Sequence, residues 1–261
     1  MPHAAPHMVK ATLNYFLDPE KGGYESSGLG QLDTHGFQYV NNSSVLTPED
    51  TDSHGKIREV YYEECVELLK TITGASRVHV MGHNQGDMET TPIPTSARYI
   101  HVDYSYEGAK TRLDFYLPQE AEELSRKRWA IINIWRPIYP VTRENLALAD
   151  ARSSRDDELR PVIAKFRRPD DAEKLSPITR AAYNRNDVGT WPLAPPSTPD
   201  QHKWYYCSEL NPSEALLLKI FDSSEEEGVA RRTPRTASTC SEDYGDQRQS
   251  IELRSLVFWD D

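Results

Sequence analysis

Cysteine is scarce. The chain has three, Cys65, Cys207 and Cys240, odd in number and widely separated among 261 residues. That weighs against a disulfide framework and against a zinc site built on closely spaced thiolates, so a reduced, cytoplasmic setting is expected. Long apolar runs are missing as well: no window reaches the roughly eighteen apolar residues that a membrane-spanning helix requires. The opening Met1-Pro2-His3-Ala4-Ala5-Pro6-His7 has neither the charged nor the apolar region of an export signal, and no leader or membrane contact is expected. Positive charge is in deficit, with 30 Lys and Arg against 41 Asp and Glu, for a net charge of −11 and no basic cluster. Nucleic acid and anionic membranes are poor partners for such a chain. A small molecule is the expected partner, and homodimer or heterodimer formation stays open.

Aromatic residues are plentiful. Fourteen Tyr and five Trp accompany a 37 % hydrophobic and 27 % charged composition, which supports an ordered aromatic core within one domain over residues 1–261. The pattern along the chain is mainly β with flanking helices. Alternating or continuous apolar character predicts strands at Val9–Phe16, Val78–His83, Trp129–Ile138 and Ile251–Phe258. Residues Ile57–Leu69 carry helical spacing, and Gln119–Arg128 reads as a charged helix. His202–Tyr206 and Ala215–Phe221 read as antiparallel strands joined by a turn at Asn211-Pro212-Ser213, and the polar, proline-rich 151–200 segment reads as a surface excursion able to act as a lid. His79 and His83 would share a strand face if the strand stays regular; Gly82 between them is a candidate break.

Three constellations carry chemistry. His101 and Asp103, two apart in the β-prone Ala97–Asp103 run, leave one face of an extended strand together. A His-x-Asp at a strand end is two thirds of the facial triad that holds non-haem Fe(II) while leaving positions open; the same pair is also compatible with two polar surface residues. Arg248 and Ser250 share a face at the start of the last strand, a guanidinium fork with a hydroxyl suited to a carboxylate. Asn133 and Arg136 interrupt the most hydrophobic stretch, and an Arg there pairs with a carboxylate of the protein or of a ligand.

His101-x-Asp103 followed by Arg248-x-Ser250 has the order and separation found in Fe(II)/2-oxoglutarate oxygenases. With Arg77–His83, Ile132-Asn133-Ile134-Trp135-Arg136-Pro137-Ile138, His202-Lys203-Trp204-Tyr205-Tyr206 and Ser250-Ile251-Glu252-Leu253-Arg254, the chain resembles the fungal hydroxylase/desaturase family that includes gibberellin desaturase-like enzymes. The resemblance implies a double-stranded β-helix barrel of the cupin or jelly-roll type. It also implies hydroxylation or desaturation of a pathway intermediate in secondary metabolism, with His101 and Asp103 on Fe(II), and Arg248 with Ser250, aided by Asn133 and Arg136, on 2-oxoglutarate.

One position departs from the family pattern. Where a Pro-His-Thr-Ala-like motif supplies the distal histidine, this chain has Pro234-Arg235-Thr236-Ala237. A guanidinium stays protonated and has no lone pair for a metal. Three outcomes follow: an oxygenase with a reduced ligand set, with Fe(II) and 2-oxoglutarate retained; a cofactor-free isomerase, dehydratase or cyclase in which Arg235 stabilises an anion beside a His101/Asp103 acid–base pair; or a non-catalytic partner subunit.

Overall fold

The computed structural model describes residues 14–15, 30–86, 99–160, 162–164, 188–199, 201–241 and 243–260. Twelve strands are described: β1 (Asn14–Tyr15), β2 (Phe37–Asn41), β3 (Arg77–Gly86), β4 (His101–Val102), β5 (Trp129–Pro137), β6 (Leu146–Ala149), β7 (Val162–Ala164), β8 (Val188–Pro192), β9 (Trp204–Tyr206), β10 (Glu214–Asp222), β11 (Arg235–Ala237) and β12 (Ser250–Phe258). They form two sheets, one of seven strands in the order β1-β9-β6-β11-β4-β8-β7 and one of five in the order β2-β10-β5-β12-β3. Every strand pair is antiparallel except β1 with β9. This is the jelly-roll, double-stranded β-helix arrangement.

The five-stranded sheet is buried on both faces, which is why β5 reads as a continuous apolar run. Its odd residues Trp129, Ile131 and Trp135 join Leu146 and Leu148 of β6 in the core between the sheets. Its even residues Ala130, Ile132 and Ile134 pack under Ile57, Tyr61, Cys65 and Leu69. Those last four come from a π turn at Ile57–Tyr61 and the helix Tyr62–Thr73 that follows it. Cys65 and Leu69, four apart, make the buried stripe of that helix. Gly74 ends it with φ +68°, its N–H returning to the Lys70 carbonyl, a conformation glycine adopts without the Cβ penalty.

Two expected elements differ in the structure, and two further readings are refined. His202–Tyr206 and Ala215–Phe221 do not form a hairpin: β9 lies in the seven-stranded sheet and β10 in the five-stranded one, so the intervening turn crosses the sandwich. The charged helix shrinks to one turn, Ala121–Leu124, because its sequence offers almost no apolar stripe to bury. The described ends of the 151–200 excursion combine exposed loop at 195–199 with strand, since β7 pairs with β8 and β8 continues the sheet beside β4; residues 165–187 lie outside the described residues, as does most of Val9–Phe16. His79 and His83 face opposite ways. Gly82, at φ +148°, sits where the β3–β12 register shifts, so His79 packs on Tyr116 while His83 turns to Tyr62 and His54 on the helical side.

Candidate active site

The seven-stranded sheet brings the two distant motifs together. His101 on β4 and Arg235 on β11 are direct cross-strand partners. His101 Nδ1 is 2.9 Å from the Tyr99 carbonyl oxygen, which fixes the proton there and leaves Nε2 with its lone pair. Nε2 lies 3.5 Å from Asp103 Oδ1. From the opposite side, Arg235 Nη2 donates to both Asp103 oxygens at 2.8 Å.

The facing wall comes from the five-stranded sheet. On β12 the residues Ser250, Glu252 and Arg254 alternate inward with Leu256 and Phe258 of the inter-sheet core, and on β5 Asn133 is the register partner of Arg254. Asn133 Nδ2 donates to Glu252 Oε1 at 2.8 Å and to Asp103 Oδ2 at 3.3 Å, bridging the two carboxylates. Arg235 Nη2 also reaches Glu252 Oε1 at 3.1 Å, and Nη1 lies 3.0 Å from Oε2 as an ion pair without a directed hydrogen bond. Arg254 Nε donates to Glu252 Oε1 at 3.3 Å.

Burial makes these charges strong. Asp103 and Arg235 are each 8 % exposed at the side chain, and Glu252 13 %, so their partners are protein groups more than water. Burial alone would raise the Asp103 pKa, but the Arg235 guanidinium first, with Arg254 adding to it, outweighs burial and holds the carboxyl far below the usual range. For Arg235, burial opposes the charge and Asp103 with Glu252 restores it, so its pKa is raised. Arg248 is pushed down to about 10 by burial, with Glu144 and Glu252 opposing and Arg235 adding to the fall. Its guanidinium lies 5.1 Å from the centroid of the Trp135 ring and Nη1 donates to the Glu144 carbonyl. Ser250 is buried at the same end of the inner face.

The structure therefore gathers His101, Asp103, Asn133, Arg235, Arg248 and Ser250 inside the barrel. Arg136 it does not. Three residues along from Asn133, that side chain emerges on the opposite face, where Nη2 donates to Asn42 Oδ1 at 2.7 Å and Nη1 to the Pro212 carbonyl at 2.9 Å. Nε is 3.3 Å from the Tyr61 hydroxyl, and Arg136 thus ties two loops to the strand end rather than reaching a ligand. Glu252 and Arg254 escaped the sequence reading, although the period of two that joins Arg248 to Ser250 reaches them in two further steps. The expected role of Arg235 as an anion holder also changes, because its Nη1 and Nη2 already face Asp103 and Glu252.

His101 Nε2 and the Asp103 carboxylate would supply two donors to a divalent metal, and Arg235 beside them has no lone pair to offer. Among the described residues, no three His, Cys, Asp or Glu side chains are placed to hold a metal together. The set thus offers two donors at most, His101 Nε2 and an Asp103 whose two oxygens both accept from Arg235. No described helix is long and apolar enough to cross a membrane.

A protein-family model described as an oxidoreductase/YMDC permease-like domain matches residues 25–258. The hydroxylase/desaturase CTB9 of Cercospora beticola is 43 % identical over 95 % of this chain and 86 % of its own length. The hydroxylase/desaturase efuI of Hormonema carpetanum is 33 % identical over 97 % of this chain and 96 % of its own. Among solved structures, the iron and alpha-ketoglutarate-dependent endoperoxidase NvfI superposes with a TM-score of 0.73 at 24 % identity, over 89 % of this chain and 82 % of that one. NvfI shares the fold.

Proposed function

The chain belongs to the fungal hydroxylase/desaturase family, and from that premise we propose that it hydroxylates or desaturates a small-molecule intermediate of fungal secondary metabolism as an Fe(II)/2-oxoglutarate oxygenase with a reduced ligand set. His101 Nε2 and Asp103 would hold the metal, and Arg248 with Ser250 the carboxylate of 2-oxoglutarate. When bound, the iron with 2-oxoglutarate and dioxygen supplies the oxidising power to attack an unactivated carbon–hydrogen bond. The chain's own residues do the placing. The Tyr99 carbonyl fixes the imidazole tautomer, Asn133 orients the Asp103 carboxylate, and Trp135 supports the Arg248 fork. A cytoplasmic location belongs to the same reading, supported by the scarcity and wide separation of the three cysteines in the sequence.

The observation that carries this reading is the approach of His101 Nε2 to Asp103 at 3.5 Å with Nδ1 already engaged, the arrangement of an imidazole presented as a ligand. The test is anaerobic reconstitution with Fe(II), followed by succinate release from 2-oxoglutarate on exposure to oxygen. Succinate that disappears in Asp103→Ala supports it, and its absence from the wild type at saturating iron counts against it.

One observation favours a second reading. Arg235 satisfies both oxygens of Asp103, so the pair can also work without a metal, with His101 Nε2 taking a proton and Asp103 stabilising the imidazolium. Such a site would isomerise or cyclise its substrate. A product of unchanged mass, formed in the presence of a chelator, would identify it.

A further inference from the structure

The geometry points to Glu252 as a positioning residue that sets how far Arg235 blocks the metal-binding pair, an inference that rests on the two-ligand metal site proposed above. Arg235 has two rivals for its charge. To Asp103 it presents one nitrogen, Nη2, shared between both oxygens at 2.8 Å. To Glu252 it presents both terminal nitrogens, Nη2 at 3.1 Å from Oε1 and Nη1 at 3.0 Å from Oε2. The guanidinium is therefore shared: Nη2 hydrogen-bonds both acids, and Nη1 faces Glu252 alone as an ion pair. Glu252 is itself fixed from two sides, by Asn133 Nδ2 at 2.8 Å and Arg254 Nε at 3.3 Å, so it does not follow Arg235 if the latter moves.

A cation approaching His101 must take an oxygen of Asp103 from Arg235. With Glu252 in place, the guanidinium keeps a carboxylate partner when that contact is given up. Without it, a buried arginine would have Asp103 as its remaining acid, and would turn its planar fork onto that carboxylate. Asn133 completes the device: its amide already touches both acids, so Asp103 keeps a donor on Oδ2 while Oδ1, the oxygen nearer His101, faces the metal position. Neither Glu252 nor Asn133 needs to touch the metal for this to work.

The test is Mn(II) binding to the full chain, read by loss of the free-ion paramagnetic resonance signal, in a double-mutant cycle of Glu252→Gln and Arg235→His. Glu252→Gln in the wild-type background is expected to weaken Mn(II) binding about 10–100-fold, the range for partners lying just outside the ligands. In the Arg235→His background the same change acts only through its direct field, and the loss should be smaller by at least about tenfold. Glu252→Asp, which keeps the charge, should recover most of the affinity, and it serves as the folded comparison if Glu252→Gln is poorly soluble. Equal losses in the two backgrounds, or no loss in either, would overturn the inference while leaving the two-ligand site intact. A wild type that takes up no Mn(II) at millimolar concentration would overturn both. Equal affinity for Glu252→Asp and Glu252→Gln would show that charge on this residue is irrelevant, and would equally refute it.

Discussion

Replacing Arg235 with histidine should convert a reluctant metal site into a strong one, and the gain can be worked out from the geometry. A divalent ion on Asp103, at an ordinary metal–oxygen distance of about 2.1 Å, would lie about 4 Å from the guanidinium, where an effective dielectric near 20 gives a repulsion of about 8 kcal/mol. With the guanidinium swung onto Glu252, to roughly 6 Å from the ion, and an effective dielectric of about 40 once water enters the site, that repulsion falls to about 3 kcal/mol. The residual cost is about 3 kcal/mol, or roughly a hundredfold in affinity at 1.4 kcal/mol per decade. Arg235→His removes that cost and adds a nitrogen donor beside His101, its cross-strand partner. Glu252 keeps Asn133 and Arg254 as partners, so the substitution does not strand a buried charge. Calorimetric titration with Mn(II), supported by anaerobic Fe(II) uptake, should show at least a hundredfold tighter binding. Identical dissociation constants for two equally folded proteins would refute the electrostatic argument and the assignment of Arg235 to the third corner.

Arg136→Met should cost about 2–3 kcal/mol of stability in urea by unpairing the Asn42 and Pro212 acceptors, with 2-oxoglutarate affinity unchanged. Arg248→Met should instead weaken 2-oxoglutarate about thirtyfold or more, as read by quenching of Trp fluorescence or by calorimetry. Lys219→Met should lower stability by about 3 kcal/mol, because Lys219 and Asp222 are both fully buried and Lys219 Nζ bonds Asp33 at 2.6 Å and Asp222 at 2.8 Å. Adding Asp222→Asn should recover part of that loss in a urea melt. His83 is held near a pKa of about 4, below its ordinary 6.5, by burial first and then by His54 and Arg58. The unfolded chain therefore binds the extra proton between those values, so melting temperature should fall by a few degrees as pH drops from 6.5 toward 4. His83→Gln should flatten that limb; an unchanged slope would rule out His83 as its source.

Much of the fold was legible because β5 and β12 have simple environments. β5, apolar on both faces, declares a central strand, and β12 alternates polar with aliphatic side chains over Ser250–Arg254. The clustering of side chains was legible where motif and parity agree, since the fold brings His101, Asp103, Arg248 and Ser250 to the barrel interior. It was misread where parity was ignored: Asn133 and Arg136, three apart, cannot share a face of one strand, so only one of them reaches the interior. Glu252 was hidden by its residue type, since Glu between two aliphatic residues on a terminal strand resembles a solvent-facing position until the opposite wall is known. The crossing from β9 to β10 was hidden too, because a turn rich in Asn and Pro serves a hairpin and a sandwich crossover equally.

Because β12 carries Ser250, Glu252 and Arg254 toward the chemistry and Ile251 and Leu253 toward the helical layer, its tolerance of change is split position by position. Inward substitutions can retune what the barrel accepts while the outer packing stays as it is. Outward ones disturb the seating of the Tyr62–Thr73 helix first, and alter the interior only by tilting the strand. Libraries aimed at new substrates should accordingly vary every second residue of this strand, and a variant gained from the skipped positions is expected to show itself in thermal stability before it shows in selectivity.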